Sequence, residues 1–161
     1  MNGLQFAILL EYEGRDYYLK QAELSKDEGL KVVFRALADE EVNHAKILES
    51  KLKGLPYELK DSTALTGAQK IFKLGKAFKV ETTDVPAQLD AYREALKNEQ
   101  KSIDLYTKKY NKATDSEEKK VFDYLIKQEK EHYDLFDGLI ELVNRANEWV
   151  EDAEFGKREE Y

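Results

Sequence analysis

The stretch Leu37–His44, which reads Leu-Ala-Asp-Glu-Glu-Val-Asn-His, decides the fold of this chain. Apolar residues recur around it at the spacing of a helix face, and Glu41 lies on that same face. His44 follows on the face one turn further, about 4.5 Å along the helix axis. A carboxylate on an inward face needs a partner, because burying an unpaired charge is costly. This Glu-x-x-His pair therefore predicts a polar site inside a helical protein.

The same pattern returns 88 residues later, where Glu129 and His132 hold the equivalent positions. Without gaps, positions 7–50 share 12 identities in 44 with positions 95–138. Thirty residues before each pair, a further glutamate, Glu11 or Glu99, interrupts an apolar stripe. Two helical hairpins with matching stripes predict an all-α, pseudo-symmetric four-helix bundle.

Apolar residues keep helical spacing along most of the chain. We predict a first helix to about Lys26 and a second, capped by Asp27, from Leu30 to about Leu52. A third helix should run from Pro86 to about Asn111. A fourth should follow a capping box at Asp115 and Glu118, with a break allowed near Gly138. The hairpins would therefore span 2–53 and 85–138.

The remaining segments are a crossover and a tail within a single domain, 1–161. Residues 54–84 break the helical rhythm and are interpreted as a long crossover between the hairpins. Inside it, Leu65–Lys79 fits a short amphipathic helix whose lysines form a solvated face. Residues 139–161 are interpreted as a helical tail, in which Trp149 and Phe155 are expected to pack on the bundle or on a second subunit.

Composition excludes several classes of function. The 161 residues contain no Cys, which excludes disulfides, thiolate metal sites, iron–sulfur clusters and a cysteine nucleophile. A formal net charge of -7 gives no electrostatic case for nucleic acid. No apolar run is long enough for a membrane span, and the start of the chain lacks the basic region of a signal peptide. We therefore expect a cytoplasmic protein without a nucleic-acid or membrane partner.

The inward faces together carry four carboxylates and two imidazoles, namely those of Glu11, Glu41, His44, Glu99, Glu129 and His132. We find no Lys or Arg on these faces, so internal ion pairing is a poor way to balance the charge. Two divalent metal ions would balance the four carboxylates. Mostly oxygen ligands with one nitrogen for each metal suit iron or manganese, and also zinc.

The segments Glu11–Tyr18 and Leu37–His44 resemble the short rubrerythrin-like branch of the ferritin-like di-iron carboxylate proteins, and the resemblance covers roughly residues 2–138. It implies a ferritin-like bundle that binds two iron ions. The implied ligands are Glu41 and Glu129 as bridges, Glu11 and Glu99 as terminal carboxylates, and His44 and His132 with one nitrogen each. Tyr18 and Tyr106 would hydrogen-bond and orient the ligand carboxylates, with simple core aromatics as the alternative.

The resemblance also implies an activity, which is the reduction of peroxide or dioxygen by a non-haem di-iron oxidoreductase, and a homodimer. Without Cys the chain cannot build a rubredoxin iron site, so electrons would come from an external, rubredoxin-like donor. Ser102 stands where rubrerythrin peroxidases place an additional Glu, and Met1 is the only methionine, so haem is not expected. Two alternatives stay open. One is an iron-binding ferroxidase for storage or detoxification, and the other is a structural dimetal bundle without turnover.

Overall fold

The computed structural model describes residues 2–61 and 85–159, with the side chains up to Ala146 and that of Glu148. Over these residues the chain forms four α-helices and no strand, which confirms the all-α prediction. They are α1 (Gly3–Leu24), α2 (Glu28–Lys53), α3 (Val85–Lys112) and α4 (Ser116–Glu159). The predicted helix Leu65–Lys79 and the side chains of Trp149 and Phe155 lie outside what is described.

Local hydrogen bonds fix the ends of the first hairpin. Asn2 begins α1 through a capping box with Gln5. The carboxylate of Asp27 accepts from the N–H of Leu30 at 3.0 Å, so the predicted cap of α2 is confirmed. Because Ser25 is already extended, α1 ends slightly earlier than predicted. Gly54 ends α2 with a φ of 69°, in the left-handed region that glycine adopts without strain.

The second hairpin differs from the prediction in two details. The carboxylate of Asp115 accepts from the N–H of Glu117 at 3.1 Å, while the carboxylate of Glu118 lies 3.7 Å from the Lys51 ammonium. The sequence allowed a break near Gly138, but α4 continues through this residue. A glycine costs a helix only about 1 kcal/mol. Its buried neighbours on α4 hold the helix against the core, and they are Leu135, Phe136, Leu139 and Val143.

The helices pack as two hairpins. α1 lies along α2, α3 lies along α4, and α1 also touches α3. No helix in the described ranges is both long enough and apolar enough to cross a bilayer. The arrangement confirms the predicted four-helix bundle of two hairpins.

The apolar core falls into two clusters at different heights in the bundle. One cluster includes Tyr18, Leu37 and Phe136, and the other includes Ala7, Leu48 and Leu125. Each helix contributes apolar residues to both clusters. The six predicted site residues lie between these contributions, so all four helices cross one polar layer. The fold therefore places the candidate site at the centre of the bundle, closed off above and below by apolar side chains.

Candidate metal centre

The structure brings the six sequence-predicted residues together in this polar layer. All six are at most 3% exposed, and they come from all four helices. α1 provides Glu11, α2 provides Glu41 and His44, α3 provides Glu99, and α4 provides Glu129 and His132. Among the described side chains, no Lys or Arg is buried, as the charge argument requires.

The six residues form two overlapping groups with metal-binding geometry. The first contains Glu11, Glu41, His44 and Glu129, and the second contains Glu41, Glu99, Glu129 and His132. Within each group, one potential ligand atom per residue lies within 4.8 Å of all the others. Glu41 and Glu129 belong to both groups, which is the arrangement that carboxylates bridging two ions would need. Each group keeps one histidine and one further glutamate of its own.

Both histidines direct the Nδ1 atom into the cluster. His44 Nδ1 lies 3.0 Å from Glu129 Oε1 and 3.4 Å from Glu11 Oε2. His132 Nδ1 lies 2.9 Å from Glu41 Oε1 and 3.4 Å from Glu99 Oε1. A neutral imidazole can therefore offer the Nδ1 lone pair to an ion held among these carboxylates.

Several buried atoms of the cluster have no hydrogen-bond partner. They are one carboxylate oxygen each of Glu11, Glu40, Glu41, Glu99 and Glu129, together with His132 Nδ1. His132 Nδ1 and Glu41 Oε1 approach to 2.9 Å, yet neither has a partner with hydrogen-bond geometry. Buried polar atoms are normally satisfied, and an unsatisfied one costs about 1–3 kcal/mol. Divalent cations would supply the missing partners of all these atoms except the Glu40 oxygen, which lies outside the two ligand groups, so the six predicted residues fit a metal centre.

Two buried tyrosines tie the hairpins together through the terminal carboxylates. Tyr18 on α1 donates its hydroxyl hydrogen to Glu99 Oε1 on α3, and Tyr106 on α3 donates to Glu11 Oε1 on α1, the latter at 2.5 Å. Burial first, and then the neighbouring carboxylate charge, raise the pKa of both phenols well above the usual value. Both tyrosines therefore stay protonated donors, and each orients a carboxylate of the opposite hairpin.

The terminal carboxylates and the histidines form two charged pairs. Burial favours the neutral form of Glu11, but contact with Glu41 and the charge of His44 outweigh it and lower its pKa to about 2. Burial likewise opposes ionisation of His44, but the charge of Glu11 raises the pKa of His44 to about 10. In the other half, burial again opposes ionisation of both groups. The charge of His132 nevertheless lowers the pKa of Glu99, and the charge of Glu99 raises the pKa of His132 well above its ordinary value.

The two shared carboxylates behave in the opposite way. Burial and the charge of Glu11 raise the pKa of Glu41 and that of Glu129 well above the ordinary value. Protons on these two carboxyls and on the two histidines can therefore neutralise the cluster without a cation. The sequence analysis weighed ion pairing and divalent metal ions as ways to balance these acids, and protonation of the shared carboxyls is a further way that it did not consider.

Sequence reasoning missed two buried residues beside the cluster, Glu40 and Gln128. Glu40 Oε2 lies 2.5 Å from His132 Nε2, and Gln128 Oε1 lies 3.2 Å from His44 Nε2. They occupy equivalent positions in the repeat, each directly before a shared glutamate. Since they differ in type, they were absent from the list of identities. Their equivalent place beside a Glu-x-x-His pair was the signal that could have found them.

A small pocket reaches the cluster between α1 and α3. It has a volume of about 100 Å³, and its lining includes Gly14, Ser102, Glu41 and Glu99. A Cβ atom on Gly14 would lie 3.0 Å from Glu41 Oε2, so the absent side chain leaves the shared carboxylate room at the pocket floor. A larger hollow of about 470 Å³ lies near the α1–α2 turn, but none of the six predicted residues lines it.

Comparison with known proteins agrees with this geometry. The rubrerythrin family model matches residues 2–140, which covers all four predicted carboxylates and both histidines. The comparisons with curated proteins and with solved structures gave no match. The family implies iron binding, and the buried Glu and His groups can hold a metal. The matched range includes both hairpins of the bundle, so the chain belongs to the rubrerythrin family.

Proposed function

We propose that this chain binds two iron ions in the polar layer and reduces peroxide or dioxygen with electrons from an external donor. The observation that carries the proposal is the pair of overlapping ligand groups with their partnerless buried atoms. Glu41 and Glu129 would bridge the ions, Glu11 and Glu99 would bind one ion each, and His44 and His132 would each give Nδ1.

Charge balance supports this ligand set. Four ionised carboxylates and two neutral imidazoles carry four negative charges, which two divalent ions cancel. Mixed oxygen and nitrogen ligands suit iron, while manganese and zinc fit the same donors with little discrimination. The surrounding apolar clusters exclude water from above and below. Such exclusion strengthens electrostatic interactions within the layer.

When bound, a pair of iron ions supplies the two electrons that break an O–O bond. Peroxide takes up two electrons and two protons and gives two water molecules, and an external reductant such as a rubredoxin-like protein restores the electrons. The chain provides a route for the oxidant, because the pocket between α1 and α3 ends at Glu41 and Glu99. About 100 Å³ admits a peroxide or a few water molecules, given about 30 Å³ for each water in the liquid.

Anaerobic loading with Fe(II), followed by stoichiometric peroxide or air, tests the proposal. We expect two iron ions per chain and a near-UV absorbance of an oxo-bridged diferric site that bleaches and returns through repeated cycles of reductant and peroxide. Uptake far beyond two ions would favour the storage alternative. Tightly held zinc with no spectral response would favour the structural alternative.

A pair of variants on α3 provides the matched control. Glu99→Gln removes one proposed ligand charge from the buried cluster and should lower both iron content and the rate of cycling. Glu94→Gln makes the same chemical change at an exposed position of the same helix and should leave both unchanged. Equal effects of the two substitutions would contradict the ligand assignment.

A further inference from the structure

Each histidine of the cluster is backed by one buried residue from the other hairpin. Glu40 on α2 faces His132 on α4, and Gln128 on α4 faces His44 on α2. Glu40 is 6% exposed and Gln128 is 4% exposed. The two contacts are equivalent under the internal repeat, but one partner is a carboxylic acid and the other is an uncharged amide.

This difference between the two partners changes the basicity of the histidine Nδ1 atom, which faces the cluster. A neutral imidazole carries one N–H, so an ion on Nδ1 requires the hydrogen to be on Nε2. That N–H then donates to Glu40 in one half and to Gln128 in the other. A carboxylate acceptor draws on the hydrogen more strongly than an amide oxygen and raises the basicity of the ligand nitrogen. The observed distances agree, at 2.5 Å to Glu40 and 3.2 Å to Gln128.

The remaining residues around the two proposed ion positions are matched in type. Each position has one histidine, one terminal glutamate, a tyrosine on that glutamate and the two shared carboxylates. A difference in metal affinity between the two ion positions would therefore arise from residues other than these histidines, glutamates and tyrosines. Within the described part of the layer, Glu40 and Gln128 are the buried polar residues in which the halves differ.

We propose that Glu40 and Gln128 are positioning residues that make the two ion positions unequal, so that the position bound by His132 fills first. This inference rests on the proposed metal centre. Removing such a partner of a metal-bound histidine typically lowers metal affinity by about 10- to 100-fold. We expect a difference of about that size between the two binding steps.

The experiment is a titration of the full chain, freed of metal with a chelator, with Zn(II) alone. The chain contains two histidines, so a ¹⁵N-histidine-labelled sample gives a simple NMR spectrum of the imidazole nitrogens. The first equivalent of Zn(II) should shift the Nδ1 signal of His132, and the second should shift that of His44. Competition with a chelating dye should give two affinities separated by about 10- to 100-fold.

Three variants test whether Glu40 and Gln128 cause the order. Glu40→Gln should weaken the first step, so that the two histidines shift together. The combined substitutions Glu40→Gln and Gln128→Glu should restore two separate steps with His44 shifting first. Asp39→Asn removes the same charge from the exposed neighbouring position and should leave the order unchanged.

The outcomes separate this inference from the proposed function. Two bound ions with simultaneous histidine shifts in the unmodified chain would overturn the inference and leave the metal centre standing. The same holds if the exchanged pair keeps the original order. Failure to bind Zn(II) at either histidine would overturn the metal centre itself. If Glu40→Gln prevents folding, Gln128→Glu alone still tests the inference, because it should tighten the second step toward the first.

Discussion

Metal binding to this chain should release protons, and their number follows from the buried cluster. Burial and the surrounding negative charge raise the pKa of Glu41 and Glu129 well above the ordinary value, which favours the protonated form of both shared carboxyls in the metal-free protein. The histidines are protonated as well, with the pKa of His44 raised to about 10 and that of His132 also raised well above its ordinary value.

All of these groups must lose a proton to bind an ion, so two divalent ions should displace about four protons. Each displaced proton couples binding to pH by about 1.4 kcal/mol for each pH unit. Each of the two ions therefore displaces about two protons, so its affinity should change about 100-fold for each pH unit. The sign is fixed, because protons compete with metal and affinity falls as the pH is lowered.

Proton release can be measured with an indicator dye in weakly buffered solution, or by calorimetry in buffers of different ionisation enthalpy. We expect about four protons for each pair of Zn(II) ions near pH 7, and a smaller number once the pH exceeds the raised pKa values. Asp39→Asn, at an exposed position, is the control and should release the same number. Release of only about two protons, the number that the histidines alone would supply, would show that the shared carboxyls are already ionised in the metal-free protein, which would refute this account of the charge balance.

Three further predictions concern stability. The metal-free protein should melt at a lower temperature at pH 9 than at pH 6, because groups whose folded-state pKa is raised, such as His44 at about 10, lose their stabilising effect as the pH rises; a higher melting temperature at pH 9 would contradict this. Gly14→Ala should make the chain less stable than Gly138→Ala does, because the added methyl crowds a shared carboxylate at a cost of about 1–3 kcal/mol, which opposes the gain in helix propensity of about 0.5–1 kcal/mol. Gly138→Ala, with nothing within 4 Å, should instead stabilise it by about 0.5–1 kcal/mol in urea unfolding, and equal effects would refute the close approach. Tyr18→Phe and Tyr106→Phe should each cost about 1.5–3 kcal/mol by loss of a hydrogen bond to a buried carboxylate, and an unchanged unfolding midpoint would oppose that role.

The four helices could be predicted because their apolar residues repeat with the helical period over many turns. Their ends were less predictable, since an end depends on one or two local hydrogen bonds. The first helix ends at Leu24 because the chain must extend through Ser25 to reach the Asp27 cap. The break that the sequence allowed near Gly138 is absent for a different reason. Packing of the residues around the glycine outweighs its weak helix propensity.

The six site residues could be predicted because a carboxylate on an apolar face is a conflict visible in the sequence, and the repeat shows it twice. Glu40 and Gln128 produced no such conflict. Each lies next to polar residues, and its position reads as the polar edge of an amphipathic helix. Their burial arises only when a histidine from the other hairpin reaches across to them. That contact depends on how the hairpins pack, which one helix pattern cannot show.

Residues that are identical in the two halves of the internal repeat differ in role from residues that are not. The glutamates, histidines and tyrosines that converge on the layer are the same in both halves, and they set its charge and its cross-hairpin hydrogen bonds. The changed pairs lie at the edges of this layer. Gly14 is paired with Ser102 at the pocket, and Glu40 with Gln128 behind the histidines. A strictly repeated site would treat two bound ions alike. Under the proposals made above, the first changed pair would mark the side on which a small oxidant enters, and the second would decide which histidine binds its ion more tightly.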